Sequence, residues 1–202
     1  MAKPNAESTF RAKAPGVMAQ LIRDFPITPE DAAAILGNLG HESAGLTTLQ
    51  EIKPTVAGSR GGYGWAQWTG PRRRAYEAYC KRTSKNPASD DANYSYLFVE
   101  LKGIEGSEKA AIGKLTRAAG LDAKVEAFER AFLRAGVKHY PSRKQWAAIA
   151  IDAWRKQAGG VPIPKPTPVP PKEAAEKAGP PWAIIIGFVI LAAALVAFFV
   201  RF

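Results

Sequence analysis

Apolar residues return every three to four positions along most of the chain, and these stripes predict a mainly helical domain. Val17 to Phe25 reads as a short first helix. Thr28-Pro29-Glu30-Asp31 reads as the start of a second: Thr28 can cap it, Pro29 suits the first helical position, and the two acids oppose the dipole. That helix should run to about Ser43. Further helices are predicted over Arg72 to Arg82, Asp91 to Lys102 (Tyr94, Leu97, Phe98, Leu101), Ser107 to Ala119, Asp122 to Ala135 (Val125, Phe128, Phe132) and Ser142 to Lys156 (Trp146, Ile149, Ile151, Trp154).

Between Leu46 and Thr69 the helical period stops. Glycines at 58, 61, 62 and 64 among Val56, Tyr63, Trp65 and Trp68 predict a small hairpin or irregular lobe. A helical body beside a glycine-rich lobe is an arrangement that forms a cleft.

The pattern changes again after Gly159-Gly160. Val161 to Pro171 (VPIPKPTPVPP) alternates proline with other residues and predicts an extended polyproline strut. Trp182 to Val200 is then nineteen residues without a charge, close to the ~20 needed to cross a bilayer as a helix. Trp182 would sit at one interface and Arg201 at the other. The expected organisation is therefore a folded domain over residues 1–158, a proline-rich linker over 159–181 and a transmembrane helix over 182–200. Lys165, Lys172 and Lys177 precede the span and only Arg201 follows it, which favours a cytoplasmic domain under the positive-inside rule. The first twenty residues, interrupted by Lys3, Arg11 and Lys13, hold no signal-peptide core.

Charge bears on partners. From Val161 onward there are four cations against two anions, so +8 of the formal +10 belongs to the preceding residues. Anionic surfaces, whether wall polymers, lipopolysaccharide or acidic lipid, would attract such a domain, while no specific nucleic-acid signature accompanies the charge. Arg72-Arg73-Arg74, the densest basic run, reads as a solvated helix start or, from its place beside the glycine-rich segment, as a binding site. Cys80 is the single cysteine, which excludes an internal disulfide, and neither zinc-site spacing nor any cofactor motif is present. A thiol pair of Cys80 with His139 is disfavoured, because Cys80 shares an apolar helical face with Tyr76.

Glu42 is the candidate for chemistry. At about 100° per residue, Ile35, Leu39 and Glu42 fall within roughly 60° of one another on the second helix, so the carboxyl shares the core-facing stripe. Burial there would raise its pKa and keep it protonated, as a general acid for glycosidic cleavage requires. The alternative is a helix-end Glu that turns outward or pairs with an Arg.

His41-Glu42-Ser43 is followed by Gly61-Gly62-Tyr63-Gly64-Trp65-Ala66-Gln67-Trp68-Thr69-Gly70 and then by three arginines. This order resembles the phage tail lysozyme family and related phage endolysins, in which a Glu-Ser pair ends a helix and a glycine-rich strand closes on Gln-Trp-Thr-Gly. It is also similar to the Glu-Ser and Gly-x-x-Gln order of goose-type lysozymes and lytic transglycosylases. The likeness extends more weakly through Glu100-Leu101-Lys102 and Phe128-Glu129-Arg130, over residues 15 to 157.

The resemblance implies a lysozyme-like, mainly α fold with a small β-hairpin lobe, and a phage enzyme cutting the MurNAc-GlcNAc strand of peptidoglycan in host lysis. Glu42 would be the acid and Ser43 would orient it. Gln67 and Thr69 would line the opposite wall, and Tyr63, Trp65 or Trp68 would offer stacking faces, with at least one of these aromatics turned into the core. Glu51 is a candidate second carboxylate, or an exposed loop Glu. Without a second carboxylate facing Glu42, a lytic transglycosylase route through the sugar's own 6-hydroxyl fits better than hydrolysis. Two other roles remain open: a virion-associated lysozyme acting in wall penetration, and a non-catalytic, membrane-anchored wall-binding protein.

Overall fold

From Ala32 to Gly40 the chain holds only Ala, Ile, Leu, Gly and one Asn, a composition that can be covered on every side. In the computed structural model, which describes residues 5–52, 54 and 58–158, this stretch is the wholly buried centre of helix α2 (Pro29–Glu42). Its start is as predicted. Thr28 Oγ1 accepts from the Asp31 N–H at 3.2 Å, and Asp31 Oδ2 accepts from the Thr28 N–H at 2.9 Å. The other Asp31 oxygen takes Lys124 Nζ at 2.5 Å, so a buried acid is paired as well as capping.

Six more helices are present among the described residues: α1 (Ala6–Asp24), α3 (Gly70–Arg82), α4 (Asp90–Lys102), α5 (Ala110–Thr116), α6 (Leu121–Phe128) and α7 (Tyr140–Ala158). Helix α1 begins well before the predicted Val17. The Asn5 side chain caps it by accepting from the Ser8 N–H at 2.7 Å, and Phe10 and Ala14 carry the buried stripe through Pro15. Helix α5 is shorter than predicted, because Glu108 is buried and accepts from the Ser107 N–H at 2.6 Å, which holds its approach in a turn. Helix α6 continues as a π-helical turn (Glu129–Leu133) that stops at Arg134, whose φ of +57° leaves the helical region.

α2 packs on α7, α6 and α1. The approach of α7 is close enough to require glycine: a Cβ at Gly37 would lie 2.5 Å from Ala147 Cβ and 2.6 Å from the Arg143 carbonyl oxygen. One turn on, Gly40 faces Phe10 and Trp146, whose rings meet edge to face at a centroid distance of 4.8 Å.

The predicted β-hairpin is not formed as strands among the described residues. Gln50 and Tyr63, and Tyr63 and Trp68, make isolated antiparallel bridges instead. Tyr63 and Trp68 exchange both backbone bonds, at 3.0 and 2.9 Å, across only four residues. Positive φ at Gly61, Gly64 and Gln67 bends the chain too often for a ladder to extend. No helix among the described residues is long and apolar enough to cross a membrane. Val56, the linker over 159–181 and the span over 182–200 lie outside the described residues.

Candidate active site

Helix α2 emerges from its cover at its last turn, and there it presents His41 and Glu42 to a cleft of about 440 Å³. Glu51, Gln67 and Thr69 of the glycine-rich lobe, Arg72 of α3, and Leu133 to Gly136, from the last residue of the π turn onward, also line it. The structure thus brings together Glu42, Glu51, Gln67 and Thr69 from the residues singled out in the sequence.

Glu42 is 18% exposed, and its nearest charge is the guanidinium of Arg143 on α7, whose Nη2 donates to Glu42 Oε1 at 2.6 Å. The carboxyl therefore meets a cation where the helix stripe predicted apolar neighbours; the alternative of an Arg partner is the one realised. Arg143 is itself only 1% exposed. Its Nε donates to the Lys138 carbonyl at 2.6 Å and its Nη1 to Asn38 Oδ1 at 3.3 Å and the Asn38 carbonyl at 3.5 Å. Asn38 is oriented in turn by Nδ2 donation to the Ala34 and Val125 carbonyls, both at 3.0 Å.

His41 Nδ1 lies 2.9 Å from Ser142 Oγ, and its ring stands 5.1 Å from that of His139. Burial, then Arg143, then His139 push its pKa down from 6.5 to about 4, so the ring is neutral at physiological pH.

The lobe wall is built from a strained residue. Gln67 sits at φ +47°, a conformation costing a non-glycine residue on the order of 1 kcal/mol. Its Nε2 offsets that cost by donating to the Leu49 and Gly64 carbonyls, both at 3.0 Å. Glu51 Oε2 accepts from the Gly62 N–H at 2.7 Å, so one of its oxygens braces the lobe. Thr69 is exposed at the start of α3 and makes no side-chain cap bond.

The other predicted site residues lie behind the cleft. Ser43 is fully buried; its Oγ donates to the Leu39 carbonyl at 2.7 Å and accepts from the Leu46 N–H at 3.2 Å, which shapes the turn after Glu42 rather than touching its carboxyl. Trp65 and Trp68 are each 1% exposed, so neither presents a stacking face. Trp68 instead donates from its indole to Glu100 Oε2 at 2.7 Å and stacks on Tyr76. Tyr63 is half-buried, with the Arg73 guanidinium over its ring at 5.1 Å. Cys80 belongs to the core, and burial pushes its thiol pKa up.

The arginine run is not the solvated helix start predicted. Arg72 forks onto buried Glu100 through Nε at 2.9 Å and Nη2 at 2.8 Å, and its Nη1 donates to the Phe132 carbonyl at 3.1 Å. Arg73 is buried and donates from Nη1 to the Arg60 and Gly61 carbonyls of the lobe. Only Arg74 is exposed. On the far wall, Arg134 is held by buried Glu108 at 2.6 Å. Buried Glu129 accepts from the Ala135 N–H at 2.8 Å and fixes the loop that follows.

Sequence reasoning missed Arg143, Asn38, Arg134 and Glu108. A charged residue at a helix position facing apolar neighbours, as Arg143 stands beside Trp146 and Ala147, was the available signal. Among the described residues no three His, Cys, Asp or Glu side chains converge as metal ligands would.

A family model described as phage tail lysozyme matches residues 13–153. Neither a curated protein nor a solved structure matches the chain significantly.

Proposed function

The chain belongs to the phage tail lysozyme family, and from that premise we propose that it cleaves the glycan strand of peptidoglycan with Glu42 as general acid. The observation that carries this reading is the placement of one partly exposed carboxyl at the mouth of a polar cleft whose other wall offers Gln67 and Thr69. Glu42 would hand a proton to the glycosidic oxygen as the bond to the anomeric carbon breaks. Sugar seated over the carboxyl would exclude bulk water from the atoms that exchange the proton.

Glu51 lines the same cleft and is the group that could steady the positive charge developing on the sugar ring, or hold a water as base. The sugar's 6-hydroxyl is the other nucleophile. Mass spectrometry of the products separates these routes: reducing ends mark hydrolysis, and anhydro ends mark transglycosylation.

Glu42→Gln keeps the shape of the side chain and removes the proton. Its release of soluble fragments from purified peptidoglycan should fall at least about 1,000-fold with an unchanged melting temperature. Retained activity would sink the assignment, and a wild-type protein that pulls down with cell walls yet releases no fragments would turn it into a wall-binding module.

The nineteen uncharged residues over 182–200 support a bilayer anchor, and the preceding lysines support a cytoplasmic catalytic domain. An enzyme so held reaches the wall only when the membrane is breached, which fits lysis. A protein acting at infection would instead be found in purified virions. Protease protection in intact cells, with a search of virions, distinguishes the two.

A further inference from the structure

Arg143 is a buried cation spending one of its strongest bonds on a residue at the rim of the cleft. Helix packing does not demand that bond. Its Nε and Nη1 already have three acceptors, the Lys138 carbonyl and both oxygens of Asn38, and these fix the guanidinium plane before Glu42 is considered. Gly37 lets the α7 backbone approach α2 closely enough to bring the group there.

A guanidinium has donors and no acceptor. Oε1 of Glu42, facing Nη2 at 2.6 Å, therefore serves as acceptor whatever the protonation state of the carboxyl. Oε2 has no hydrogen-bond partner among the described residues. We infer that Arg143 is a positioning residue for the acid step, one that reserves Oε1 and leaves Oε2 as the oxygen that carries and delivers the proton.

This rests on the reading of Glu42 as the acid. The proton on Oε2 passes to the glycosidic oxygen, which keeps the electron pair of the breaking bond to the anomeric carbon. Water or the sugar's 6-hydroxyl then adds its oxygen to that carbon and returns a proton to the Glu42 carboxylate, so the enzyme is restored. Arg143 faces a neutral acid at the start of the transfer and a full carboxylate at its end. The attraction grows as the proton leaves, and an interaction stronger in the transition state than in the ground state raises kcat more than it alters KM.

The test uses the full-length protein, peptidoglycan, and a dinitrophenyl glycoside of the wall disaccharide, whose leaving group departs without a proton. Arg143→Lys keeps a charge in the same space, and Arg143→Met removes it. On peptidoglycan, kcat should fall about 10-fold in the first and about 100-fold in the second, with KM changed less than about threefold. On the dinitrophenyl glycoside the Arg143→Lys defect should disappear.

Equal slowing of Arg143→Lys on both substrates, or a rise in KM at unchanged kcat, would overturn the inference in favour of a purely structural clamp. This comparison stands on Arg143→Lys alone should Arg143→Met not fold. Activity retained by Glu42→Gln defeats the underlying reading, whereas an inactive Glu42→Gln beside wild-type rates in both Arg143 variants defeats only the role of Arg143.

Discussion

His41 neighbours the carboxyl and meets Arg143, His139 and Ser142 from α7 and the loop before it. Its folded pKa of about 4 lies below the ordinary 6.5, so between those values the unfolded chain binds a proton that the folded protein does not. Stability should therefore be full above about pH 6.5, fall as pH descends through that window, and level off below about 4. His41→Gln should flatten the dependence; urea midpoints measured across pH 3.5 to 7.5 would show it. At this scale the sequence exposed Glu42 because an acid interrupted an apolar period next to a family-like segment. It hid Arg143, whose partner lies 101 residues away, because helix register within one segment says nothing about which side chain of another will meet it. Trp68 was misplaced for a related reason: an aromatic among glycines suits a sugar platform and a buried wedge equally, and only the Glu100 carboxylate beneath its indole decides.

The crossing of α2 and α7 sets the geometry of the site through a missing atom. Gly37→Ala would gain about 1 kcal/mol of helix propensity. The new methyl would, however, stand 2.6 Å from the Arg143 carbonyl, a backbone atom that cannot rotate aside. Overpacking of this kind costs about 1–3 kcal/mol or more, so steric conflict wins. A melting temperature lower by several degrees is expected in calorimetry, with activity reduced further as α7 and Arg143 move outward. Elements with a local cause were legible: the Thr28 and Asp31 capping box is a four-residue signal and marks the start of α2 correctly. Elements decided from a distance were not. The predicted first helix begins only at Val17, whereas α1 starts at Ala6 and runs through Pro15, which deprives only one carbonyl of its donor. The lobe lost its predicted strands because its turns are held by side chains, Gln67 and Arg73 among them, rather than by a ladder.

The whole domain faces its surroundings with a large excess of positive charge. Release of fragments from anionic walls should consequently weaken by about tenfold between 50 and 300 mM salt, while cleavage of a short neutral oligosaccharide should hardly change. Turbidity clearing set against oligosaccharide assays would separate these terms. Within the domain, Glu100 of α4 is fully buried and does not line the cleft, yet its two oxygens take the lobe through Trp68 and α3 through Arg72, and Arg72 reaches on to the Phe132 carbonyl just before the far wall. One hidden carboxyl thus ties together the lobe, α3 and, through Arg72, the turn before the far wall. A change at that one position would reach three edges of the slot at once.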